Sequence, residues 1–188
     1  MISLTAKDFE CIGQVAKHCD LTKLKIAINE AIKFDGRELL CGLFYDVNEN
    51  WRSKDDEWVS LINGSTYTGC GSNSRSHSGI KEVLVYYAYA RYVLINKTDD
   101  TASGMVSKSN DFSIPTPMKE IIMISNRYRN MAKQLWLDVE AFICINSNDY
   151  PTANGLSCKP CGCNGSCKSG INTRGFGLSG KNVSKYGL

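Results

Sequence analysis

The sequence predicts a mainly α protein: a helical bundle with a small β-hairpin and an extended C-terminal arm. Three observations carry that expectation. Apolar residues recur every three or four positions through several segments. One segment, 80–97, is apolar almost all round, as a helix covered on most sides must be. Near Tyr150-Pro151 the composition changes, and glycine, cysteine and lysine replace core-forming residues.

The first periodic segment, 21–34, places Leu21, Leu24, Ile28, Ala31 and Ile32 at helical spacing, with Lys23, Lys25, Asn29, Glu30 and Lys33 on the other side. Asp20 or Thr22 is the expected N-cap, and Gly36 is expected to interrupt the helix. A second, mostly buried helix follows over 37–47. DDEWVSLING (55–64) reads as a short helix, with acids in the first turn where the dipole favours them and Gly64 past its end. The Gly/Ser-rich stretch 65–79 reads as a polar loop ending in Ser78, a good N-cap for the helix over 80–97. From Val83 to Ile95 that helix carries one charge, Arg91, so it belongs in a core or between subunits.

After Asn96 the period changes. Residues 101–115 alternate small polar with apolar residues around Ser109-Asn110-Asp111, the pattern of a β-hairpin or extended arm. Thr116 as N-cap and Pro117 at the first helical position open a long helix over 117–146. Its expected buried stripe is Ile121, Ile124, Tyr128, Met131, Leu135, Val139 and Phe142, with Arg127, Arg129, Asn130, Lys133 and Asp138 off it. No internal repeat is visible.

Two units follow from composition: a helical body over 1–150 and a basic Gly/Ser/Cys-rich extension over 151–188. The net charge of +3 hides this division. The extension holds five of the 22 Lys and Arg and no acid, which leaves 17 basic and 19 acidic side chains in the body, a net of −2. It also holds half the 16 glycines and four of the nine cysteines, and has too little apolar side chain for a core of its own. Overall, 43% apolar and 22% charged residues describe a soluble globular protein. No apolar run reaches the roughly 18–20 residues of a membrane span. The N-terminus, MISLTAKDFECIG, lacks a basic stretch followed by an apolar one, so folding in a reducing cytosol is expected, with the cysteines as thiols.

Cys158, Cys161, Cys163 and Cys167 form C-x2-C-x-C-x3-C within one Gly-rich stretch. They are the candidates for a metal site, although zinc ribbons set two C-x2-C knuckles about fifteen residues apart. A thiol-rich surface extension accounts for them as well. The two histidines are His18 and His77, the second among serines. No G-x-S-x-G elbow accompanies that Ser-His pairing, and no motif ties an acid to it. The glycines near it do not match the phosphate-binding G-x4-G-K-[ST] pattern. Tyr86, Tyr87, Tyr89 and Tyr92 fall on several faces of one helix, which suits packing better than base stacking. No catalytic residue and no cofactor are expected.

Taken together, the loop LINGSTYTGCG (61–71), the helix SGIKEVLVYYAYARYV (78–93), the segment TASGMVSKSNDFSIP (101–115) and a long helix containing NRYRNMA (126–132) resemble a known group. They are similar to the head–tail connector proteins of tailed phages of Bacteroidetes, including the ring or adaptor proteins of crAss-like phages. The resemblance runs roughly from Leu21 to Ile145. It implies a helical adaptor-type fold and a structural virion protein made in the bacterial host cytoplasm. Such a protein forms a homo-oligomeric, commonly dodecameric, ring in the neck. Its partners would be the portal protein and other neck or tail rings, with DNA passing through the channel without sequence specificity. The role needs no catalysis. A different class stays open: a small zinc-binding nucleic-acid-binding protein built on the C-terminal cysteine cluster.

Overall fold

A computed structural model describes residues 1–12, 20–69, 72–101, 104–107 and 116–153. The fold is mainly helical, as expected. After a 3-10 turn (Ala6–Ile12) come α1 (Leu21–Glu30), α2 (Arg37–Leu40), α3 (Leu43–Asn50), α4 (Asp56–Asn63), α5 (Gly79–Lys97) and α6 (Met118–Ile145). Strands β1 (Ser65–Thr68) and β2 (Ser74–His77) pair antiparallel between α4 and α5. Strands β3 (Thr98–Thr101) and β4 (Gly104–Ser107) pair antiparallel after α5.

The axis of the bundle is α5. Helices α1, α4 and α6 and the N-terminal 3-10 turn pack around it. Val83, Leu84, Val85, Tyr87, Ala88 and Ala90 are all buried, so nearly every direction around the helix is used. Of the two expectations for this segment, a core and a subunit seam, the core is what the fold shows. Leu24, Ala27, Leu43, Val47, Leu61, Val139 and Ile143 close over it from the other helices. An aliphatic side chain of this size contributes roughly 1.5–3 kcal/mol when fully buried.

The entry to α1 is as expected: the Asp20 carboxylate accepts hydrogen bonds from the backbone N–H groups of Thr22 and Lys23 at 3.0 and 3.1 Å. At its other end the expectation fails. Gly36 does not interrupt the helix; residues Ala31–Gly36 form a π-helical turn that leads directly into α2. The reason is packing, because a Cβ at position 36 would lie only 3.1 Å from Leu84 Cδ2, so a side-chain-free residue lets the turn rest on α5. The break comes instead at Cys41, whose φ is +45°, and it splits the expected 37–47 helix into α2 and α3.

The stretch 65–79 is not a plain loop but carries β1 and β2, in register Ser65↔His77 through Thr68↔Ser74. Glycines close this hairpin at its base. Gly64 and Gly79 have φ of +91° and +83°, and a Cβ on Gly79 would come within 2.4 Å of Gly64 N and Ile62 O. Only residues without side chains allow the end of α4 and the start of α5 to cross so closely. Ser78 is therefore not a capping side chain: its backbone is already helical, and its Oγ makes no cap hydrogen bond.

The second hairpin begins earlier than expected. Its register, Thr98↔Ser107 to Thr101↔Gly104, puts the reversal between Thr101 and Gly104. The expected turn at Ser109-Asn110-Asp111 lies outside the described residues.

Helix α6 matches its expected span, with Pro117 at the cap position rather than inside. Its buried stripe is rotated from the expected one. Ile121, Ser125, Tyr128, Ala132, Trp136, Val139, Phe142 and Ile143 face the core, whereas Ile124 and Met131 face outward and Leu135 is half-buried. Small residues win those places because α6 lies close against α5: Ser125 Oγ donates to the Ala90 carbonyl at 2.8 Å.

The N-terminal segment is strapped to the body. Phe9 is fully buried, Lys81 pairs with Asp8 at 2.6 Å, and Trp51 Nε1 donates to the Ser3 carbonyl. Past α6, Tyr150 is buried with its hydroxyl donating to the Glu57 carbonyl, Thr152 Oγ1 donates to Asp46 Oδ2, and Ala153 packs on the core.

Candidate interaction surface

Arg91, the lone charge within the buried stretch of α5, is committed to the interior. Its Nε and Nη2 donate to the two oxygens of Asp35 at 2.6 and 3.1 Å, and Nη1 to Glu30 Oε2 at 3.2 Å. Arg129 of α6 lies 3.7 Å from the same Asp35. The π-helical turn carries Asp35 into this position, where its side chain is only 8% exposed. A fork of two parallel N–H···O bonds satisfies both charges where water is scarce. The network ties three helical segments together.

His77 is the one histidine among the described residues, since His18 lies outside them. It is buried at the end of β2, stacked on Phe142 with ring centroids 4.2 Å apart and with Tyr67 edge-on at 5.9 Å. Its Nε2 meets Ser65 Oγ at 3.1 Å, so a Ser–His pair does exist. However, Nδ1 has no hydrogen-bond partner, and a hydrolytic pair needs a carboxylate there to orient the ring. Burial lowers the imidazole pKa below its usual range, against a weaker upward pull from Asp138. Its surroundings are those of a core aromatic residue.

Tyr87, Tyr89 and Tyr92 are buried and Tyr86 half-buried, and Tyr89 packs edge-on against Tyr128 at 4.6 Å. They pack rather than present a stacking platform. The cysteine candidates Cys158, Cys161, Cys163 and Cys167 lie outside the described residues. Among the described residues, no group of three or more His, Cys, Asp or Glu is placed to hold a metal ion. Cys11 and Cys41 are free thiols, as expected, but Cys144 is disulfide-bonded. No helix among the described residues is long and apolar enough to cross a membrane.

What remains is the outside of α6. Opposite its buried stripe run Met123, Arg127, Asn130, Gln134 and Leu137, spaced by four and three so that they share one face. Met123 is 62% and Leu137 54% exposed, with Ile122, Ile124 and Met131 also in water nearby. A shallow groove runs between Met123 and Met131, past Arg127 and Asn130. Lys119 and Arg127 make no ion pair or hydrogen bond among the described residues. This surface mixes flexible apolar side chains with unpaired cations, a composition suited to holding another macromolecule. Periodicity misses it, because it counts Ile124 and Met131 into the core stripe.

Comparison with known proteins gives one match: a family of unknown function, DUF6712, matches residues 38–160. No curated protein matches the chain. No solved structure matches it. The matched span, most of the chain, includes α3 to α6 and reaches beyond Ala153, while α1 and Asp35 lie before it.

Proposed function

We propose an assembly role for this chain, which belongs to the DUF6712 family: a structural ring protein of a phage neck that joins portal to tail around the DNA channel. The observation that carries the reading is the outer face of α6, where large apolar side chains stay in water although the core is complete without them. Apolar patches of this kind mark contacts with other macromolecules. The sequence resemblance supplies the identity of the assembly, and with it the dodecameric copy number.

The work of such a protein is geometric. In a closed ring one face of each subunit meets a different face of the next, and the rotation between them closes the circle. The bore must not hold phosphates tightly, since tight binding would stall DNA passage. A body with a net charge of −2 suits that requirement, provided the cations of α6 are used elsewhere.

Native mass spectrometry and negative-stain microscopy of the purified chain test this reading. Closed rings without bound metal are the expected result. A monomer at every concentration overturns it, and stoichiometric zinc on that monomer would favour the cysteine-cluster nucleic-acid binder instead.

A further inference from the structure

We infer that the methionine-bearing basic stretch of α6 is one half of a head-to-tail contact between copies of this chain, the other half being an acidic corner at the far end of the same helix. The inference rests on the ring reading above and assigns its two contact surfaces.

Charge is distributed unevenly along α6. Its first two-thirds expose Lys119 and Arg127 near Met123 and Met131, against one exposed acid, Glu120, while Lys133 lies on the flank beside Glu38 and Arg129. The far end adjoins the start of α4. There Tyr150 donates to the Glu57 carbonyl, and both Asp149 and Glu57 push its hydroxyl pKa up, after the larger effect of burial, so these two acids share one neighbourhood. Asp56 is exposed in the same first turn of α4, and Val59, one turn on, is an exposed apolar side chain. Asp56, Glu57 and Asp149 make no ion pair among the described residues.

The two patches cannot neutralise each other within one subunit. From Arg127 to the end of α6 is about 27 Å at 1.5 Å per residue, more than three times the screening length of about 8 Å at physiological salt. They can do so between subunits. Cations and adaptable methionines on one copy meet acids and an apolar residue on the next, which gives both steering and apolar burial. Because the surfaces differ, each copy bound at one patch keeps the other free. The contact therefore propagates and can close a ring.

Two charge-reversed variants of the full chain test this: K119E/R127E, which spoils the basic stretch, and D56K/D149K, which spoils the acidic corner. All four positions are exposed, and thermal unfolding of each variant checks that the fold is intact. Each variant alone should associate at least about tenfold more weakly than the parent chain. Mixed, they should associate again, because the intact stretch of one meets the intact corner of the other and the two reversed patches are themselves opposite in charge. Unchanged rings from either variant, or no pairing in the mixture, would overturn the inference while leaving the ring reading in place. A monomeric parent chain would remove both.

Discussion

Ser125 of α6 donates its hydroxyl to the backbone carbonyl of Ala90 on α5 at 2.8 Å, 35 residues away in sequence and fully inside the fold. At this contact two helices approach as closely as small side chains permit, and it sets which way α6 faces. With Ser125 and Ala132 inward, Met123, Arg127 and Met131 must face out. Ser125→Val should therefore cost about 1–3 kcal/mol by overpacking, and Ser125→Ala about 1 kcal/mol for the lost hydrogen bond. Urea denaturation measures both, and a valine variant as stable as the parent would show that the helices are not in close contact.

How far this was visible in the sequence depends on what decided each element. Helix α6 was legible over nearly its whole length because seven turns of periodicity and Pro117 agree. Its inner face was not, since periodicity rewards large apolar residues, whereas close approach to Ala90 selects Ser125 and Ala132. Likewise β1 and β2 are four residues each and rich in serine and threonine, so their stability comes from Tyr67 and His77 lying on Phe142. Sequence alone does not reveal that tertiary contact. The apolar outer face of α6 is hidden from periodicity because Ile124 and Met131, at helical spacing with the core residues, lie in water.

The crossing of Gly64 and Gly79 gives a second expectation. Both sit in a left-handed conformation, and a methyl on Gly79 would meet backbone atoms that cannot yield. Gly79→Ala should cost about 3 kcal/mol or more, from dihedral strain plus the clash. Thermal unfolding should show a large fall in Tm. A change of only a degree or two would mean that the base of the hairpin is looser than described.

His77 makes stability depend on pH in a stated direction. Burial holds its folded pKa below the ordinary 6.5, so the fold favours the neutral ring. Its contribution is present in full above pH 6.5 and declines as pH falls through that value, because the unfolded chain takes up the proton first. The loss is complete once pH lies below the folded value. At Asp8 burial pushes the carboxyl pKa up, but the hydrogen bonds from Lys81 and Thr5 together outweigh it and leave it below 3.8, so this group acts only in a separate, more acidic window. His77→Phe keeps an aromatic ring against Phe142 without titrating. It should flatten the fall in Tm between about pH 7.5 and about pH 5, and an unaltered fall would place the titrating group elsewhere.

The Arg91–Asp35 fork should behave as a buried pair does when it is opened from one side. Asp35→Leu leaves the guanidinium with Glu30 alone in a setting where its side chain is 19% exposed. The cost should be about 3 kcal/mol, at the low end for buried pairs because Arg91 keeps some water. Replacing both partners, Arg91→Met with Asp35→Leu, removes the stranded charge and fills the space with apolar atoms, so the double variant should be more stable than the single one. Glu30 and Arg129, the other members of the network, are each more than a third exposed and can return to solvent at small cost. A double-mutant cycle by urea denaturation reads the difference. If the double variant proved less stable than Asp35→Leu, Arg91 would be supporting the π-helical turn through its packing on Phe34, 5.6 Å away, rather than through the charge it carries.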